Sequence, residues 1–174
     1  MSEVIAPGTL IPWNDERLRK PPKEWDFSTP PEQAQHLAQI LLATSEHLHG
    51  AGLSANQIGI DARVFAVTLS ISKDDAHEYV AFNPEIEEES EDKILMEEGC
   101  LSRPGLWLKV SRPRMIRVKY FNVAGEEIRA ELDGFHSRVF QHEYDHMLGI
   151  DFTQRVSKMK LEMGLKKIAK KKKK

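Results

Sequence analysis

A single cysteine, Cys100, in 174 residues rules out an internal disulfide and suits a reducing compartment, in the simplest case the cytoplasm. Long apolar runs are also missing. The best of them, Ala38–Ala43, is interrupted by Gln39 and falls far short of the ~20 residues a membrane helix needs, so no membrane partner is expected. Met1–Trp13 shows no basic start leading into an apolar block and a small-residue cleavage site, and no secretory signal is expected. Internal repeats are absent too. What is present, 40% hydrophobic and 30% charged residues, suffices for one core in a soluble chain.

The charges are unevenly placed. Ser157–Lys174 holds nine lysines against one glutamate, so a chain of net charge −2 is an acidic body of −10 joined to an end of +8. An acidic body argues against DNA read across the whole surface, whereas the basic end can meet phosphates or an acidic partner. One domain is expected over residues 1–156, with 157–174 as a basic helix or tail in which Leu161, Leu165 and Ile168 share one side.

Pro21, Pro22, Pro30 and Pro31 suggest an extended arm after Asn14–Lys20. A helix is then predicted, capped by Ser28 or Thr29 and carrying Ala34, Leu37, Ile40, Leu41, Thr44 and Leu48 at helical spacing until Gly50. Strands are expected at Arg63–Leu69, Glu78–Asn83 (ending at Pro84), Lys93–Glu97 and Leu106–Val110. Met115–Phe121 and Ile128–Leu132 read as a hairpin across an Asn122–Gly125 turn. The acidic run Glu85–Asp92 reads as a solvated hairpin tip. Helical spacing resumes over Phe135–Leu148, with Phe135, Val139, His142 and His146 on one inward stripe, and Gly149 ends it. The expected fold class is α+β: a mixed or antiparallel β-sheet wrapped around a central metal-binding helix, with an N-terminal amphipathic helix and a basic C-terminal helix or tail.

On that last helix His142-Glu143-Tyr144-Asp145-His146 forms an H-E-x-x-H motif. Histidines four apart lie ~40° from each other around a helix, so both rings can reach one ion. Glu143, turned ~100° from His142, can reach a metal-bound water without binding the metal. With seven histidines and eighteen glutamates in the chain, chance supplies about 0.03 such matches. A catalytic site needs a third protein ligand and an open corner. The third histidine of a metzincin is missing, since Phe152 stands at its place. Asp151 and Glu162 are the acidic residues that follow the helix. Cys100 remains, a soft ligand that a cation would deprotonate, although a lone cysteine is more often a small buried hydrophobe. Gly99 before it lets the backbone approach closely.

Three segments together resemble the peptide deformylase family: Gly50-Ala51-Gly52-Leu53-Ser54-Ala55-Asn56-Gln57, Glu98-Gly99-Cys100-Leu101-Ser102 and Gln141-His142-Glu143-Tyr144-Asp145-His146, in the family's order and with similar spacing. The likeness extends more weakly from Asn14 to Val156. It implies removal of the formyl group from the starting methionine of nascent polypeptides, with release of formate. It also implies one divalent ion per chain held by Cys100, His142 and His146, with Glu143 as acid/base. The usual ion would be ferrous iron, which zinc, nickel or cobalt can replace. Three residues depart from the commoner pattern: Ser54 stands for an alanine, Arg103 for a small apolar residue, and Trp107 for other residue types.

Amide hydrolysis at neutral pH needs an activated water, donors for the developing oxyanion and a proton for the leaving amine. The Gln57 side-chain NH₂ and the Leu101 backbone N–H are the expected donors, and Glu143 the proton carrier. The Ala51-Gly52-Leu53 backbone is expected to pair with an extended peptide. Met96, Phe135 and Val139 are candidates for a methionine pocket, Glu98 and Gly99 are further candidates for contact with the substrate, and Glu98 is also expected to pair with Arg112 and fix the cysteine loop. The expected partners are formyl-methionyl nascent peptides and, through the lysines, ribosomal RNA, for an enzyme working as a monomer. Two alternatives stay open: a metalloprotease of the H-E-x-x-H type, and a non-catalytic ribosome-associated module with a structural metal. The latter needs a fourth ligand: His136, six residues before His142, falls on a different helix face, and His36, His47, His49 or His77 would supply one only through tertiary contact.

Overall fold

The computed structural model describes residues 6–72 and 75–171; the first five residues and the last three lysines of the basic end lie outside the described residues. An N-terminal arm leads through a 3-10 turn, Glu16–Arg19, into helix α1, Pro31–His47. Among the described residues seven strands follow: β1, Gly52–Ser54; β2, Val64–Ser72; β3, Asp75–Glu89; β4, Lys93–Cys100; β5, Arg103–Pro113; β6, Met115–Phe121; and β7, Glu127–Asp133. Helices α2, Gly134–Met147, and α3, Lys158–Lys171, complete the chain. Every strand pairing is antiparallel, in a five-stranded sheet ordered β1-β2-β3-β6-β7 and a two-stranded sheet β4-β5.

Strand β2 explains how the helices are placed. Side chains alternate along a strand, and here both faces are apolar. Val64 and Ala66 pack with Leu37, Ala38 and Leu41 of α1, whereas Phe65, Val67 and Leu69 pack with Val139, Phe140 and Met147 of α2. The sheet thus lies between two helices, and α2 is held against it by a buried stripe. A third cluster joins Leu106, Leu108 and Val110 of β5 to Phe152, with Leu161 and Ile168 of α3 laid against them.

Several local expectations are corrected. Helix α1 is entered through Pro30 without a side-chain cap, because Thr29 Oγ1 instead donates to the Asp26 carbonyl. Pro84 does not end β3. Asn83 takes a positive φ of 48°, the register shifts between Phe82 and Glu85, and the strand continues. The acidic run is consequently strand rather than hairpin tip over Glu85–Glu89, its charges met across the sheet by Lys119 (3.0 Å), Arg129 (2.6 Å) and Arg117 (2.7 Å). Leu165 does not share the packed side of α3 with Leu161 and Ile168; it is exposed, and Gly164 comes down on Leu108 in its place.

Candidate metal centre

Helix α2 starts where Asp133 accepts a hydrogen bond from the Gly134 N–H, and stops at Gly149, whose φ of 70° suits glycine best. Between these ends the helix buries Glu143 and His146 and carries His142 on the cavity side. Cys100 arrives from the other sheet. The β4-β5 register shifts between Gly99 and Cys100, and this irregularity turns the cysteine toward the helix.

The donor atoms of Cys100, His142 and His146 all lie within 4.8 Å of one another. Cys100 Sγ and His146 Nε2 are 3.5 Å apart, close to the ~3.6 Å that tetrahedral metal–sulfur and metal–nitrogen bonds would give. His142 Nδ1 is engaged by Glu98 Oε2 at 3.1 Å, which leaves Nε2 for an ion. Burial raises the Cys100 thiol, but the charge on His146 and hydrogen bonds with His142 and His146 outweigh it and bring the thiol to about 5. A cation bound here would favour the thiolate in the same direction. One thiolate and two imidazoles fit a single divalent ion with a corner open. The other acidic candidates for a third ligand are elsewhere: Asp151 pairs with Arg103 at 2.6 Å, and Glu162 is exposed on α3.

Around these donors the polar groups are fixed. Arg112 grips Glu98 with two hydrogen bonds, 2.7 and 2.9 Å, and reaches Asp145 at 2.8 Å. Arg138 adds a 2.6 Å bond to Glu98, and Arg155 pairs with Asp145. The pair Glu98–Arg112 was expected from sequence; Arg138, Asp145 and Arg155 were not. For Arg138 and Asp145 the signal is a charged residue at a buried position of α2; Arg155, exposed in the 3-10 turn Phe152–Arg155, carries no such signal. Burial raises the Glu98 carboxyl, yet Arg112 and His142 outweigh it and keep the group ionised.

Gln57 Oε1 accepts from the Ser54 N–H at 2.8 Å, so its Nε2 faces Ser102 Oγ, 3.0 Å, and Cys100 Sγ, 3.5 Å. Asn56, with Gln57 in the 3-10 turn Ala55–Ile58, donates to the His146 carbonyl at 2.9 Å and ties that turn to α2. Burial pushes the Glu143 carboxyl above its usual range against the opposing charges of His142 and His146, the direction a proton carrier needs.

A cavity of about 420 Å³ opens over these groups. Of the residues expected to meet substrate, Ala51, Gly52, Glu98, Gly99, Phe135 and Val139 line it, together with Gln57, Cys100, Leu101, His142 and Glu143. Two do not. Leu53 turns its side chain into the core under α1, and Met96 lies further along β4, beyond Glu97 where the lining begins. Phe135 is 42% exposed, standing at the rim rather than on the buried stripe. The cavity mouth also holds Trp107, 63% exposed, whose ring would stand 3.2 Å from a Cβ added to Gly99. Among the described residues strand β1 is the sheet's terminal strand, paired with β2 and with no strand on its other side.

A buried carboxyl beside a thiolate and two imidazoles, on a helix backed by an antiparallel sheet, is the equipment of a metal-dependent hydrolase, and fold and site place the chain in that class. Residues 8–162 match the family model for polypeptide deformylase. The chain is 37% identical to the peptide deformylase of Aquifex aeolicus over 163 residues, 92% of this chain and 94% of that one. Among solved structures, the Legionella pneumophila peptide deformylase superposes with a TM-score of 0.84 at 33% identity, over 97% of this chain and 96% of that one. The Synechococcus elongatus enzyme in complex with actinonin gives 0.83 at 31% identity, over 96% and 88%. The chain belongs to the polypeptide deformylase family.

Proposed function

We propose that the chain removes the formyl group from the N-terminal methionine of nascent polypeptides and releases formate, with Cys100, His142 and His146 holding one divalent ion. The observation that carries this reading is the convergence of those three donors within 4.8 Å beside a cavity that Glu143 also lines. The ion, ferrous iron in our reading and replaceable by zinc, nickel or cobalt, polarises the formyl carbonyl and makes water nucleophilic near neutral pH.

The remaining work falls to the chain's own groups. An extended peptide adds to the open edge of β1 and pairs with the Ala51–Leu53 backbone. Its methionine side chain lies against Phe135 and Val139. As water adds to the formyl carbon, Glu143 takes a proton from it, and the growing charge on the formyl oxygen is met by Gln57 Nε2 and the Leu101 N–H. The C–N bond then breaks while Glu143 passes the proton to the departing nitrogen, leaving formate and a free amino terminus. Residues 1–156 form the catalytic unit, and the lysines of 157–174 dock it on ribosomal RNA. We read the enzyme as a cytoplasmic monomer, because one chain supplies every group and its lone cysteine suits a reducing setting.

The test is formate release from formyl-methionyl peptides by protein loaded anaerobically with ferrous iron or nickel. Glu143→Ala should keep the metal and lose turnover, whereas Cys100→Ala should lose the metal. No formate from the loaded native protein overturns the reading. For the lysines, co-sedimentation with ribosomes across a salt series should fall steeply with salt; binding at low salt that survives removal of Lys166–Lys174 overturns that part.

A further inference from the structure

Glu143 has a neighbour for which the proposed reaction has not yet found a use. Ser54, the last residue of β1, is fully buried, and its hydroxyl donates to Glu143 Oε2 at 2.8 Å, with the Glu143 backbone carbonyl 3.3 Å away. The second carboxylate oxygen lies elsewhere. A Cβ added to Gly52 would stand 2.9 Å from Glu143 Oε1, and both Gly52 and Glu143 line the cavity.

Strand geometry accounts for the arrangement. Residues two apart on a strand share a face, so Gly52 and Ser54 both look toward α2, while Leu53 between them turns into the core under α1. The absent side chain of Gly52 makes room for Oε1, and the hydroxyl of Ser54 takes Oε2. The final torsion of a glutamate is broad and nearly two-fold. Packing on the methylene groups alone leaves the carboxylate plane free to turn, and a donor on one oxygen removes that freedom.

We propose that Ser54 is a positioning residue for the reaction: its hydroxyl fixes the rotation of the Glu143 carboxylate and keeps Oε1 turned to the place where the formyl group is hydrolysed. This rests on the reading of Glu143 as the acid/base. Ser54 need not touch the substrate, so its loss acts on the rate of the chemical step and not on peptide binding.

The experiment compares Ser54→Ala, Ser54→Thr, Glu143→Gln and the Ser54→Ala/Glu143→Gln double variant in the metal-loaded full chain, with metal content and Tm measured on each. Ser54→Ala should lower kcat about fivefold with KM and bound metal unchanged and Tm lower by no more than about 2–8 °C, the loss expected for one buried hydrogen bond. Ser54→Thr keeps the hydroxyl and should return kcat to within about twofold of native. Glu143→Gln should lower kcat about a thousandfold with metal retained, and adding Ser54→Ala to it should change the residual rate no further. Native kcat in Ser54→Ala, a fall matched by lost metal, or a metal-loaded Ser54→Thr no faster than Ser54→Ala overturns the role of Ser54 and leaves that of Glu143 standing. A Glu143→Gln chain that turns over at the native rate overturns the acid/base reading itself, and the Ser54 inference with it.

Discussion

Glu98 and His142 are joined by a 3.1 Å hydrogen bond between Oε2 and Nδ1, and the same carboxylate receives Arg112 and Arg138. One side chain therefore orients a metal-facing imidazole and pairs with two buried guanidinium groups, Arg112 sharing a second carboxylate, Asp145. Glu98→Gln should weaken metal binding about 10- to 100-fold, as loss of such an outer partner does. The uncompensated arginine charge should cost about 3 kcal/mol of stability as well. Competition with a chelator and urea unfolding measure the two effects separately.

Gly52 leaves no room for a side chain. A Cβ there would meet Glu143 Cγ and Oε1 at 2.9 Å and the Ala66 carbonyl oxygen at 3.1 Å. Gly52→Ala should displace the carboxylate and lower kcat about 100-fold, the scale on which small misplacements act. Circular dichroism and metal content should stay close to native, since the core beneath is untouched.

Much of this was legible from local pattern, and the reasons differ by element. Helix α2 announces itself because a helical period and an H-E-x-x-H spacing coincide within fourteen residues, and β6 was readable because Ile116, Val118 and Tyr120 alternate on a half-buried strand. The continuation of β3 was not. A proline and a glutamate run look like a stop and a tip unless one knows that Arg117, Lys119 and Arg129 stand opposite, about thirty to forty residues later in the chain. The site divides in the same way. Its three motifs are local strings, whereas Arg138 on Glu98, Asn56 on the His146 carbonyl and Ser54 on Glu143 exist only through packing of separate segments.

Acid should act on the Asp151–Arg103 pair. Burial raises the Asp151 carboxyl, but hydrogen bonds from Arg103 and from the Thr153 N–H outweigh it and hold the group below its usual range. A carboxyl depressed in the folded state adds stability that is complete above its unfolded pKa of about 4 and is lost as pH falls through the folded value. Asp151→Asn should thus be less stable at neutral pH and lose less on acidification below pH about 4. Unfolding midpoints taken across that range check the slope; parallel curves for the two proteins would refute it.

Helix α3 is anchored by Leu161 and Ile168 against β5. Both are partly buried, and replacing either with alanine should cost about 1–2 kcal/mol. Removing residues 157–174 should lower Tm further, because Leu106 and Leu108 would then face water. Formate release per folded molecule should persist in all three chains.

The unpaired flank of β1 sets a condition on timing. Only a strand-like, unfolded end can lie along it, since a helix or a closed domain offers no matching row of amides and carbonyls. On the proposed pairing each client would be met while its first residues are still loose, and a chain whose beginning is already tucked into its own structure would escape processing. The width of that window belongs to the folding rate of the client and not to the chemistry of the site.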